Sequence, residues 1–310
     1  MKNGYSRFMW QVGVLSMGLV AGVSWSWAAT PEENAERQRI NQLKISDTPF
    51  EKLSHQTLSE WGQKALKIQE KQWKHAESEH FIIHYPLIDV RDRFIKEAEF
   101  YYWKIKNDLK VSQDLVDHKS HIYVFVDEAQ WRQFQANTDV LQIGGVCLGN
   151  EYFCLYPKRR EKESSGTAAH EMTHLVFNRF FVGNPPRWLN EGIAEYQARK
   201  AYFAYHGQRY ESINKDTSAL ANIDFFKMTE LTEYPQGSAA RSAFYVESQL
   251  AVETLIEKGG PERFVAFVNT MIQNPDFKAG FDAHYLETFK DAGGFLKEME
   301  RKEKQIKYRH

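Results

Sequence analysis

Cysteine is nearly absent, with two thiols in 310 residues. That excludes a disulfide-dense scaffold, so a packed core must hold the fold, and a chain this long can bury one. An excess of one charge is absent too. The 40 basic residues nearly cancel the 41 acidic ones, which leaves no global field favouring a nucleic-acid partner. Long apolar runs are missing from the body of the chain. The one such run, residues 8–23, follows Lys2 and Arg7 and is broken by Gln11, Ser16 and glycines, so it is short for a membrane span. With small residues at Ser26 and Ala28, residues 1–28 read as a secretory signal. Cleavage falls after Ala28 or after Ala29, and an uncleaved anchor is the other reading. The expected location is across the inner membrane, periplasmic or extracellular, without stable membrane insertion once the signal is removed.

Aromatic residues are plentiful at 14%, as in a packed globular protein. The chain is organised around residues 164–196. Within them His170 and His174 are four apart, which on a helix puts both imidazoles on one face, within reach of one metal ion. Glu171 sits about 100° round the helix, close enough to take a proton from a metal-activated water. Ser164 or Ser165 is expected to cap this helix, and Met172, Leu175, Val176 and Phe180 give it an apolar stripe. A Gly183-Asn184-Pro185-Pro186 turn stops it and starts a second helix that can pack back. That helix carries Glu191 as a third ligand, leaving the open position of a catalytic zinc site. Glu195, four residues on, can accept the other ring N–H of a ligand histidine.

The segments His170-Glu171-Met172-Thr173-His174 and Trp188-Leu189-Asn190-Glu191-Gly192-Ile193-Ala194-Glu195-Tyr196 resemble the gluzincin metallopeptidases. The similarity is closer still to the secreted bacterial peptidase-MA-like families. Sixteen residues separate His174 from Glu191, slightly fewer than in thermolysin or aminopeptidase N, so loop-borne substrate contacts do not carry over. The Gly-x-Met-Glu-Asn motif of aminopeptidase-N-type enzymes is missing, which argues against an aminopeptidase. A further segment, 238–260, resembles the C-terminal helix of peptidase-MA-like proteins through Tyr245, Ser248, Leu255 and Gly259. By that analogy Tyr245 is the candidate oxyanion donor, with Arg241 one turn earlier facing the same cleft.

The remaining chain is read from local pattern. Residues 31–76 suggest one or two helices and no chemistry, and His55 and His75, lacking partners at motif spacing, are expected at the surface. Strands are expected at 80–85 and 121–126, and a helix at 90–109 whose aromatics belong to the core. His80 and His84 would lie about 13 Å apart along their strand, too far for one metal. Asp127 should cap a helix over 129–135. Residues 142–156 read as a β-hairpin turning at Asn150-Glu151. That register sets Cys147 opposite Cys154 and permits a disulfide worth about 2–3 kcal/mol; a two-Cys zinc site lacks suitably spaced histidines. In gluzincins a strand before the metal helix borders the cleft, and Gly144-Gly145 would let a substrate backbone approach. Lys158-Arg159-Arg160 is taken as solvated loop, Ile223 as one of several packing anchors, and 261–310 as two short helices and a long one with a basic, solvated end.

The expected fold is α+β and zincin-like: a small mixed β-sheet over an active-site helix, with a helical C-terminal half. The expected division is a signal (1–28), an N-terminal helical segment (29–77) and a metallopeptidase domain (78–310) whose halves meet near residue 184. The expected function is hydrolysis of peptide or protein substrates. One Zn2+ would be held by His170, His174 and Glu191, with Glu171 and Tyr245 catalytic. The competing expectations are a binding or assembly protein of the cell envelope, and a zinc amidase acting on cell-wall material.

Overall fold

The computed structural model describes residues 28–138, 144–156, 162–210 and 224–307. All but the last residue of the expected signal, the Lys158-Arg159-Arg160 patch, Ile223 and the last three residues of the basic terminus lie outside the described residues. No helix among the described residues is long and apolar enough to cross a membrane.

Among the described residues, helices and strands are interspersed through the first half of the chain, and helices alone follow. In order they are α1 (Pro31–Asn41), α2 (Glu60–Lys67), β1 (Lys74–Glu77), β2 (Phe81–Tyr85), α3 (Ile88–Leu109), β3 (Ser120–Phe125), α4 (Glu128–Thr138), β4 (Gly145–Leu148) and β5 (Glu151–Leu155). Then come α5 (Lys162–Phe180), α6 (Arg187–Tyr205), α7 (Phe225–Thr229), α8 (Ser238–Gly259), α9 (Pro261–Gln273), α10 (Phe277–Phe289) and α11 (Ala292–Lys307). The fold is α+β, with one five-stranded mixed sheet in the order β1-β2-β3-β5-β4. Strands β2, β3 and β5 run parallel, while β1 and β4 are antiparallel edges.

Both sheet faces are covered, which is why β2 and β3 are buried at every residue. Ile83, Ile122, Tyr152 and Cys154 face the core shared with α3 and α5, whereas Tyr123, Phe125 and Phe153 pack on Ala65 of α2, on Ile68 just after it, and on Trp131 and Phe134 of α4. Strands buried on both faces read as continuous apolar runs, and the expected strands at 80–85 and 121–126 correspond to β2 and β3. The helix expected at 90–109 is α3. Asp127 does cap α4, accepting from the Ala129 and Gln130 amides at 2.9 and 3.1 Å. Helix α5 starts at Lys162, so Ser164 and Ser165 fall inside it and are not its caps.

Helices α1 and α2 are the two helices expected within residues 31–76, and only the end of that stretch, strand β1, departs from the helical reading. Its sequence, Lys74-His75-Ala76-Glu77, has no β-branched residue; pairing with β2 forms it, as tertiary context overrides weak propensity. The surface assignment of His75 is corrected too, whereas His55 is partly exposed. His75 pairs with His84 across the strands, their Nδ1 atoms 2.7 Å apart, and His84 Nε2 lies 2.8 Å from His121 Nδ1. His55 stacks on His118 and meets His121 at a tilt, with centroids 5.5 Å apart. A histidine ladder therefore crosses the sheet face turned away from α5. Facing cross-strand positions are set by register, which local periodicity does not reveal.

The hairpin also departs from expectation. Leu148 pairs with Glu151, so the turn is at Gly149-Asn150, one residue early, with Gly149 in the left-handed region at φ 61°. Cys147 consequently faces Tyr152, and Cys154 faces Gly145. The expected disulfide does not form, and both thiols are free. Burial pushes the Cys154 thiol up to about 12, which makes it unreactive.

Candidate metal centre

Helices α5 and α6 build the centre between them. Helix α5 anchors itself with Met172, Leu175, Val176 and Phe177, all fully buried or nearly so, which leaves the His170 and His174 face toward the open cleft. Gly183 at φ 104° reverses the chain, and α6 enters with Trp188 buried against Phe225 and Phe277. Glu191 then meets the two imidazoles. His170 Nε2 lies 3.1 Å from Glu191 Oε2 and 3.1 Å from His174 Nε2, and His174 Nε2 lies 3.6 Å from Glu191 Oε2.

Those three edges can be compared with what a metal needs. Two ligands of a tetrahedral ion with arms of about 2.0–2.1 Å lie about 3.3 Å apart. The observed edges bracket that value, so the donor set of two imidazoles and one carboxylate fits a single ion with little movement. Among the described residues no other histidine, cysteine or acid joins the three.

The electrostatics match this geometry. Burial opposes charge on His170, but hydrogen bonds to Glu191 and Glu195 outweigh it and hold its pKa well above the usual range. Burial likewise opposes ionisation of Glu191, and its two histidine partners overcome that and hold it well below the usual carboxylate range. These partners favour a charged His170 and an ionised Glu191, and a metal bound here would compete with that proton. His170 Nδ1 lies 3.0 Å from Glu195 Oε1, approached obliquely and without another partner. Glu195 in turn receives Arg199 at 3.4 Å. A carboxylate at Nδ1 selects the tautomer whose Nε2 presents a lone pair to a metal.

Glu171 stands apart from the ligand trio. Its Oε2 accepts the Cys147 amide of β4 at 3.0 Å, and burial raises its pKa against the lowering influence of His174 and His170. Gly145 was expected to admit a substrate backbone. A Cβ there would crowd Tyr152 at 3.2 Å and just touch Glu171 Cγ at 3.4 Å, so glycine also leaves these neighbours undisturbed. Strand β4 and the trio line one cleft of about 1610 Å³.

Tyr245 reaches that cleft from α8, its ring edge-on to His170 at 6.0 Å between centroids. Burial and the Glu191 charge hold its hydroxyl protonated, with a pKa raised well above the ordinary tyrosine value. Helix α8 can approach because position 192 is glycine: a Cβ there would overlap the Ser248 carbonyl oxygen. The residue after Glu191 is thereby explained as a contact point between helices. Gly192→Ala should cost about 1–3 kcal/mol by overpacking and weaken zinc binding through the adjacent Glu191. Urea denaturation and zinc titration of the variant check both effects.

Tyr234 is the site residue that sequence reasoning missed. Its hydroxyl donates to Glu191 Oε1 at 2.6 Å, fixing the carboxylate so that Oε2 faces the histidines. Burial and the Glu191 charge push its pKa up to about 12. It lies between α7 and α8, outside any periodic pattern, so nothing in its neighbourhood signals a role. Tyr234→Phe and Glu195→Ala should each weaken zinc affinity about tenfold or more, as loss of outer partners does; competition with a chromogenic chelator measures this.

No family model matches the chain, and no curated protein matches it either.

Proposed function

We propose that this chain is a zinc-dependent peptidase of gluzincin type on a zincin-like fold, working outside the cytoplasm. The observation that carries the reading is the convergence of His170, His174 and Glu191 beside a carboxylate, Glu171, that is not one of the ligands. A closed structural zinc site would use four protein ligands, and three with an open side favour catalysis.

His170, His174 and Glu191 would hold one zinc ion, which supplies Lewis acidity toward a water and a carbonyl oxygen. Glu171 takes the proton of the attacking water as the scissile carbonyl becomes tetrahedral, then returns it to the leaving amine. The Cys147 amide keeps the Glu171 carboxylate oriented through both transfers. Tyr245, protonated and lining the cleft, donates to the developing oxyanion. Glu195 and Tyr234 act at one remove, by orienting His170 and Glu191.

The same activated water attacks any amide carbonyl, so the substrate class is tested directly. Zinc-loaded protein is incubated with denatured protein and, separately, with peptidoglycan fragments, each with and without chelator. New amino termini from the protein, abolished by chelation and restored by zinc, are expected. Release from peptidoglycan alone would overturn the assignment in favour of a cell-wall amidase.

A further inference from the structure

Two arginines in the cleft have no part in the chemistry above. Arg187 opens α6 and Arg241 lies in the first turn of α8. They come from different helices to the same ring, with guanidinium carbons 4.3 and 5.9 Å from the Tyr234 centroid. Arg187 spends its Nε on the Thr232 carbonyl at 2.9 Å and also hydrogen-bonds the Tyr234 hydroxyl, which leaves part of its fork as donor surface. Among the described residues, neither guanidinium forms an ion pair with a carboxylate. Glu230 and Asp276 also line the cleft, but Asp276 is engaged in capping α10 through the Ala279 amide at 3.0 Å.

An arginine lying over an aromatic ring has one face covered, and its in-plane N–H edge remains as the donor surface. Two guanidinium groups converging on one ring suit a planar carboxylate, which takes paired N–H···O bonds from a guanidinium fork. The ring they share is the one whose hydroxyl holds Glu191, so an anion bound there lies close to the His170–His174–Glu191 cluster.

We propose that Arg187 and Arg241 form a carboxylate-binding subsite, so that preferred substrates carry a carboxylate close to the scissile bond. The inference rests on the peptidase reading for its substrate. The carboxylate comes either from a peptide C-terminus or from an Asp or Glu side chain, and the two sources are separable.

The test uses the full zinc-loaded chain carrying Glu171→Gln, so that bound peptides stay intact. Fluorescence anisotropy compares three peptides of one sequence: a free C-terminal acid, its C-terminal amide, and the amide with an internal Asp. One or both carboxylate peptides should bind at least about tenfold tighter than the neutral amide, by the strength of charge-assisted pairing. Which of them does so identifies the source. Arg241 is exposed, so Arg241→Gln should fold, and it should erase the difference; Arg241→Glu should reverse it in favour of a Lys-containing amide. Zinc content is measured in parallel. Equal affinities for all three peptides, no binding of any, or a uniform loss in Arg241→Gln would overturn the subsite and leave the arginines as props for Tyr234. Hydrolysis is scored separately with unsubstituted Glu171. Discrimination without cleavage would retain the subsite and remove the peptidase; cleavage of acid and amide alike, with equal affinities, would do the opposite.

Discussion

Replacing Glu171 by Gln should lower kcat/KM for peptide hydrolysis by about 10²–10⁴, the range for loss of a general acid–base group. Zinc affinity should stay within about tenfold of the unsubstituted protein, because Glu171 is outside the ligand trio. The amide is nearly isosteric, and its carbonyl oxygen can keep the Cys147 N–H bond now made by Oε2. The substitution therefore removes the proton acceptor and little else. Steady-state kinetics with zinc content measured on the same sample check the prediction. Full turnover by a zinc-replete variant would rule out Glu171 as the base.

Acidification should destabilise the fold through the histidine ladder. Burial lowers the pKa of His75, and it lowers that of His84 further. His121 is lowered to about 3, by burial first and then by the neighbouring His55 and His118. In the unfolded chain these rings titrate near the ordinary value of about 6.5. Between the folded and unfolded values the unfolded state binds protons that the folded state refuses. The stability is thus fully present above about pH 6.5 and is lost as pH falls toward the folded values. For one ring shifted as far as His121, the loss between pH 6.5 and 5 is about 2 kcal/mol. Urea denaturation at pH 7.5 and 5.0 should show this, and His121→Gln should flatten the dependence by about that amount. Comparing variant with parent cancels the opposite contribution of Glu247, whose pKa burial pushes up to about 8. A His121→Gln protein with an unchanged pH dependence would show that the ladder is not titrating as described.

The contrast between what local pattern reveals and what it hides follows sequence distance. His170, Glu171 and His174 were legible because one helical turn brings them together, and Glu191 with Glu195 because a glycine–proline turn announces the second helix. Strands β2 and β3 were legible as short apolar runs. Tyr234 was not, since its contact with Glu191 spans 43 residues and depends on how α7 and α8 are set against α6. The His75–His84–His121 ladder was hidden for the same reason, joining three strands whose register no single stretch encodes. The disulfide expectation failed on a one-residue difference in turn position, enough to exchange Cys154 for Tyr152 opposite Cys147. Gly192 was visible as part of a motif, but its physical reason, the Ser248 carbonyl on α8, required the packed helices.

The central claim, that this centre hydrolyses peptide bonds with a metal and Glu171, is tested most directly by mass spectrometry of a diverse peptide library. The library is exposed to zinc-loaded protein, to the same protein after chelation, and to Glu171→Gln. The account predicts discrete fragments in the first sample and an intact library in the other two. An intact library in the first sample, or equal fragments from all three, would contradict it.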